Sequence, residues 1–294
     1  MINKINWREL ENSEIEREYS PSSAIGGDYL PYINEYIRES NLVKESYDVI
    51  QCAYGPLGTN TLDLILPKNL IDGAPVPLIV FVHGGYWQEL SKKESLFLGK
   101  QILDEGYAFA AIDYSLCPSV KIEQIVDECR MALSWLKSAG SSYGYDSEKI
   151  ILAGSSAGAH LSAMCSLTDN HESRSASYIP AATVLVSGIY ELEPLIHTSI
   201  NDALQMSKDS AIILSPLFKS LKFFPQTLIT WGENETDEFK YQSEAFAQNL
   251  MDYGILVETC EVIGKNHFDI ILDLANKNGT LGKKFYKLIE DVCS

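Results

Sequence analysis

The sequence predicts an α/β fold: a mostly parallel central sheet of about eight strands, flanked by helices, with a small helical cap region. Three observations predict it. Short apolar runs alternate with longer stretches of helical period, and from Pro77 onward the order is strand, helix, strand, helix. The 294 residues suffice for one large domain, since a chain of this length can bury about 75% of the surface it exposes unfolded. No linker rich in Pro, Gly or Ser, internal repeat or low-complexity tract divides it. A single domain over residues 1–294 is therefore expected.

In chain order the strand candidates are SYDVIQCAY, TLDLIL, PLIVFV, YAFAAI, KIILAG, AATVLV, TLITW and VETCEV. Helices are expected around 92–105, 121–139, 157–168, 239–253 and 280–291. Gly55-Pro56-Leu57-Gly58 is turn chemistry between the first two strands and predicts an antiparallel start to the sheet. Two segments do not fit the alternation. Residues 1–40 are polar and partly helical, with a break at Tyr19-Ser20-Pro21-Ser22-Ser23, and residues 187–226 form a long connection. Both are expected to be cap elements, because a connection of that length inside a compact domain usually carries helices of its own and often lies over a site.

Forty acidic against twenty-three basic residues give a formal charge of −17. That balance repels phosphate backbones and anionic lipid, so nucleic acid and anionic membranes are poor partners; the expected partner is a small-molecule substrate, about which the overall charge says little because a pocket can differ in sign from the whole surface. The six cysteines form no CxxC pair or Cys/His cluster, which predicts free thiols. The start, MINKINWRELENSEIERE, lacks the apolar stretch of a signal peptide, and no later run approaches membrane-spanning length. A cytoplasmic location follows as the expectation, and a homodimer is compatible with it.

Gly154-Ser155-Ser156-Ala157-Gly158 fits G-x-S-x-G with Ser156 at its centre. Alone the motif is modest evidence, but KIILAG before it reads as a buried strand and AGAHLSAMCSLT after it as a helix. Strand, tight turn and helix make a nucleophile elbow, with Ser156 as the nucleophile and Ser155 as a flank. The competing explanation is a helix start capped by Ser155.

A serine hydroxyl needs a base within hydrogen-bond reach. Of the five histidines, His267 in GKNHFDII follows the last strand candidate, where the order serine, acid, histidine puts the base. His160, one turn past Ser156, is expected to pack beneath the elbow, His171 and His197 to be exposed, and His83 to hold a loop. The acid should lie in WGENETDEF, which offers Glu233, Glu235, Asp237 and Glu238. Glu235, three residues past Gly232, is the choice and Asp237 the alternative. Asp113 ends a strand but precedes Ser156, the wrong order, and reads as structural. For the oxyanion, HGGYWQ places Gly84 and Gly85 at the end of a buried strand, and the Ala157 amide follows the nucleophile. The Tyr86 amide is a further candidate. Such chemistry needs no metal or organic cofactor, and none is expected.

With these residues placed, the chain resembles the α/β-hydrolase superfamily and, within it, the kynurenine formamidase (arylformamidase) family, close to the hormone-sensitive-lipase-like esterases. The resemblance rests on YSPSS, HGGYWQ, DYSLCP, GSSAGAHL, VSGIYELEPLIHTSINDAL, EFKYQS and NHFDII, and it covers nearly the whole chain. HGGYWQ and SGIYELEPL are its most specific parts. It implies Ser156 and His267 as nucleophile and base, with the acid at Glu235, where members of the family commonly have aspartate. Ser155 stands where histidine is common. The resemblance further implies release of formate from an N-formyl arylamine such as N-formylkynurenine through a formyl-enzyme. Tyr86 and Trp87 would wall an aromatic leaving group, with core or cap packing as the alternative for both, and Tyr190 is a further pocket candidate. A carboxylesterase of small acyl esters is the alternative function, and a catalytically silent binding protein a third.

Overall fold

The computed structural model describes residues 7–68, 75–167 and 178–294. His171 lies outside the described residues. All eight strand candidates form one sheet: β1 Ile50–Ala53, β2 Thr61–Ile65, β3 Val76–Val82, β4 Ala108–Ile112, β5 Tyr145–Ser155, β6 Ala182–Val186, β7 Gln226–Gly232 and β8 Val257–Val262. Their order across the sheet is β1-β2-β4-β3-β5-β6-β7-β8. The Gly-Pro-Leu-Gly turn makes β1 and β2 an antiparallel hairpin, β2 is antiparallel to β4, and every later pair is parallel.

The helices are α1 Asn12–Glu18, α2 Leu30–Ser46, α3 Gly99–Asp104, α4 Ile122–Tyr143, α5 Ala157–Cys165, α6 Asn201–Leu204, α7 Lys208–Ile213, α8 Asp237–Asp252 and α9 Thr280–Cys293. They cover both faces of the sheet, so its central strands are apolar throughout instead of alternating. Along β3, Leu78, Val80 and Val82 enter the core shared with α4, α5 and α8. Ile79 and Phe81 enter the opposite one, shared with α2, α3 and α9.

Two expected elements take a different form. The helix anticipated over 92–105 is two short 3-10 turns, Lys92–Glu94 and Leu96–Leu98, followed by α3. Lys92 turns inward to pair with Asp63 at 2.6 Å, and Ser95 Oγ donates to the Ser91 carbonyl at 2.7 Å. These side-chain bonds compete with a continuous helix. The polar N-terminal segment also runs on past residue 40 as α2, so the first strand starts at Ile50 and not at Ser46.

At β3 the chain reverses its direction of progress across the sheet, because β4 lies on one side of it and β5 on the other. The carboxyl ends of strands open a crevice at such a switch point. All six cysteines are free, five of them buried. Among the described residues no helix is long and apolar enough to cross a membrane.

Candidate active site

Ser156 closes β5 and opens α5 with φ 56° and ψ −121°, a left-handed backbone that a side chain rarely accepts. It is held there by its own amide, which donates to the Val186 carbonyl of the next strand at 2.8 Å. The amides of Ala159 and His160 return to its carbonyl at 3.0 and 3.2 Å. Below it α5 comes so close to β3 that a Cβ on Gly158 would lie 2.0 Å from the Val82 carbonyl oxygen, which only glycine avoids. Strand, strained serine and helix are the elbow that the motif predicted.

His267 stands on the loop after β8. Its Nδ1 donates to Glu235 Oε2 at 2.8 Å, which leaves Nε2 as the basic nitrogen. The other oxygen, Oε1, accepts from Ser187 Oγ and from the Gly232 amide, both at 2.6 Å. Phe239 packs edge-on against the imidazole at 4.5 Å. Asp237 is exposed in the first turn of α8, and Glu238 turns inward to accept from the Tyr19 hydroxyl at 2.9 Å. Of the two candidate acids, the fold thus brings Glu235 to the histidine and leaves Asp237 in solvent.

Ser156 and His267 line one cavity of about 300 Å³, together with His83, Gly84 and Gly85. A Cβ on Gly84 would sit 3.2 Å from that of Ser156, so this peptide abuts the serine. Gly85, Tyr86 and Trp87 follow with φ of 93°, 48° and 59°, a left-handed turn closed by the amides of Gln88 and Glu89, which both donate to the Gly85 carbonyl at 2.9 Å. The Ala157 amide opens α5, where first-turn N–H groups have no partner within the helix.

The other described histidines are structural or exposed. His83 Nδ1 donates to the Gly84 carbonyl at 2.9 Å, and its ring stacks on Tyr114 at 4.0 Å. His160 Nε2 donates to the Leu214 carbonyl at 2.8 Å. Burial pushes both down to about 4, so they are neutral at ordinary pH. His197 is exposed. Asp113 lies outside the cavity, where it accepts weakly from the Lys92 amide at 3.4 Å.

Two pocket assignments need correction. Tyr86 reaches the cavity, but Trp87 and Tyr190 do not. Both are fully buried, Trp87 edge-on to His160 at 5.0 Å and Tyr190 stacked on Phe246 at 4.3 Å. Large aromatic side chains serve a core as readily as a pocket, and sequence position does not separate the two.

The roof of the cavity comes mainly from the N-terminal segment, with Glu16, Ser22, Tyr29, Ile33 and Tyr36, while 187–226 adds Ser199 and Ile200. Side chains fasten this strap to the body. Ser199 donates through its amide and hydroxyl to Glu16 at 2.7 and 2.5 Å. Arg8 bonds Glu191 and Glu193, each at 3.0 Å. Gln242 donates to the Tyr19 hydroxyl at 2.9 Å and accepts from the amides of Tyr190 and Glu191 at 2.8 Å. The Tyr36 hydroxyl donates to the Phe268 carbonyl, and Asn266 accepts from the Phe268 amide at 2.9 Å. Motif reading missed Ser187, Gln242, Tyr36 and Asn266. Asn266 carried a local signal, an Asx turn beside the histidine; the others act on partners distant in sequence.

The protein-family comparison matches residues 62–250 to the family described as BD-FAE. Kynurenine formamidase of Danio rerio is 31% identical over 97% of this chain and 98% of its own. That of Drosophila melanogaster is 30% identical over 79% and 78%. A probable isoprenylcysteine alpha-carbonyl methylesterase of Oryza sativa is 30% identical over 82% of this chain and 62% of its own. Among solved structures, a candidate thioesterase of Silicibacter sp. superposes with TM-score 0.79 at 28% identity, over 93% of this chain and 99% of that one. A Pyrobaculum calidifontis esterase superposes with TM-score 0.71 at 18% identity over 91% and 95%, a likeness of fold. An eight-stranded sheet in hydrolase order and a formamidase relative matched from end to end lead to one placement: the chain belongs to the BD-FAE group of α/β-hydrolases and, within it, to the kynurenine formamidase family.

Proposed function

We propose that the protein is a serine hydrolase that cleaves the formamide bond of N-formyl-L-kynurenine or a related N-formyl arylamine, releasing formate and the free amine. The observation that carries this reading is the sharing of one aromatic-walled cavity by an elbow serine and a histidine whose Nδ1 is fixed on a buried carboxylate. The end-to-end likeness to kynurenine formamidases supplies the bond class.

In this reading Ser156 Oγ attacks the formyl carbon while His267 Nε2 takes its proton. The amides of Gly84, Gly85 and Ala157 hold the oxyanion. Glu235, oriented by Ser187 and Gly232, stabilises the imidazolium. The tetrahedral intermediate collapses as His267 gives its proton to the aryl nitrogen. Water, activated by the same histidine, then cleaves the formyl ester and frees formate. An anilide nitrogen shares its lone pair with the ring, so this C–N bond breaks more easily than that of an alkyl amide. The Gly84 peptide against Ser156 leaves little room for an acyl group, which suits formyl, and Tyr86, Tyr29 and Phe268 offer faces for the ring. A cytoplasmic location belongs to the same proposal, because six free cysteines suit a reducing compartment.

The methylesterase relative supports a second reading, a carboxylesterase, since the same machinery cleaves esters more readily than amides. Comparing kcat/KM for N-formylkynurenine with that for short p-nitrophenyl esters separates the two. Formanilide turnover with formate release is the expected result; efficient ester cleavage without it sinks the formamidase.

A further inference from the structure

The cavity that holds Ser156 and His267 is unevenly charged. Glu16, Glu89 and Glu94 reach its wall, and among the described residues no lysine or arginine does. The partners of these carboxylates are neutral. Glu16 accepts from the amide and hydroxyl of Ser199, Glu94 from the Ser91 hydroxyl at 2.6 Å, and Glu89 from the Tyr29 hydroxyl at 3.4 Å. No cation within ion-pairing distance among the described residues cancels their charge. The field reaches neighbouring hydroxyls: Glu89 pushes the Tyr29 pKa up, and Glu16 adds to the burial that raises that of Tyr86. Apolar walls from Ile33, Phe97 and Phe268 keep such a field focused.

The three carboxylates are not equivalent. Glu89 is exposed, where water and salt screen it. Glu16 is half-buried, and both its oxygens are pinned by Ser199, so its charge has a fixed place where the N-terminal strap meets the 187–226 segment.

We propose that the site selects among N-formyl arylamines by charge, favouring a ring substituent that ends in an ammonium group over one that ends in a carboxylate, with Glu16 as the specificity-determining residue. The ligand class rests on the formamidase reading; the charge preference is read separately. An amino-acid substituent carrying both groups turns its ammonium toward Glu16 and its carboxylate away.

Four N-formyl-2-acylanilines with the same ring test this, their acyl chains being neutral, ammonium-terminated, carboxylate-terminated or carrying both groups. The ammonium compound should exceed the carboxylate compound in kcat/KM by about tenfold or more at low salt, with the neutral one between. Salt should compress the spread. Glu16→Gln keeps an acceptor for Ser199 and should shrink the ammonium-to-carboxylate ratio by about fivefold. The ratio is taken within one protein, so a loss common to all four compounds cancels. Equal rates across the set, or a ratio unchanged in Glu16→Gln, overturn the proposal. Should that variant not fold, the wild-type ratio and its salt dependence decide. The four free amines, as inhibitors of p-nitrophenyl acetate hydrolysis, separate the two levels. Inhibition ranked by charge without formanilide turnover removes the formamidase reading and keeps the selection; turnover with unranked inhibition does the reverse.

Discussion

Beneath the cavity, Ser156, Ser187 and Gly232 sit on backbone that the sheet dictates, whereas above it the strap of residues 7–36 is fastened by side chains. In the floor each strand end is tied to the next: the Ser156 amide donates to Val186, and the Ser187 amide to Thr230, both at 2.8 Å. In the roof the ties are Arg8 to two glutamates, Ser199 to Glu16, and a buried chain from Gln242 through Tyr19 to Glu238. The glycines of the floor, Gly154, Gly158 and Gly232, leave no room for a side chain, because backbone atoms lie within 2.0 to 2.4 Å of where a Cβ would be. The roof can lose a bond at a time, and its contacts depend on charge and therefore on pH and salt.

The largest effects should come from the floor. Ser156→Ala is expected to lower kcat/KM on a formanilide by about 10⁴-fold, while Ser155→Ala stays within about tenfold. The opposite ranking would shift the elbow by one residue. Glu235→Gln should cost about 10³-fold and Asp237→Asn less than about threefold in the same assay, since Glu235 alone of the two meets the imidazole. Comparable losses in both would mean that the acid is shared.

Gly158→Ala probes the packing of the floor without touching a reacting group. Its Cβ would enter the Val82 carbonyl, so the variant should lose about 3 kcal/mol or more of stability in urea titration. A near-native midpoint would show that α5 can move.

The roof should respond more mildly and to pH. Glu238 is fully buried, one of its oxygens lacks a hydrogen-bond partner, and burial pushes its carboxyl up to about 7. The folded chain therefore holds a proton that the unfolded chain releases at the ordinary carboxyl range, and stability is lost as pH rises from that range through about 7. The stability difference between wild type and Glu238→Gln, followed by urea titration across pH, should change least near the ordinary carboxyl range and most above neutrality, by up to about 3 kcal/mol. A gap that ignores pH would break the contrast between roof and floor.

The same contrast explains what could be read from the chain. Strand cores and the elbow are local patterns: AFAAI or PLIVFV allows little but a buried strand, and a serine between small residues at a strand end allows a strained turn. His267 was legible from chain order. The break in the helix expected over 92–105 was not, because it depends on Lys92 finding Asp63 twenty-nine residues away. Trp87 and Tyr190 were misplaced for a similar reason, since which face of a turn an aromatic takes is set by His160 and Phe246.

By itself the sequence determined the number and order of the strands, a serine at an elbow, a histidine on the loop after the last strand and Glu235 as first choice for the acid with Asp237 as alternative, because each depends on patterns a few residues long or on chain order. Only the tertiary structure decided that Glu235 and not Asp237 meets His267, that Ser187 steadies it, and that residues 7–36 roof a cavity with carboxylates and no described cation on its wall. Those outcomes depend on groups far apart in the chain, and their hydrogen bonds and fields exist only once the sheet has brought them together.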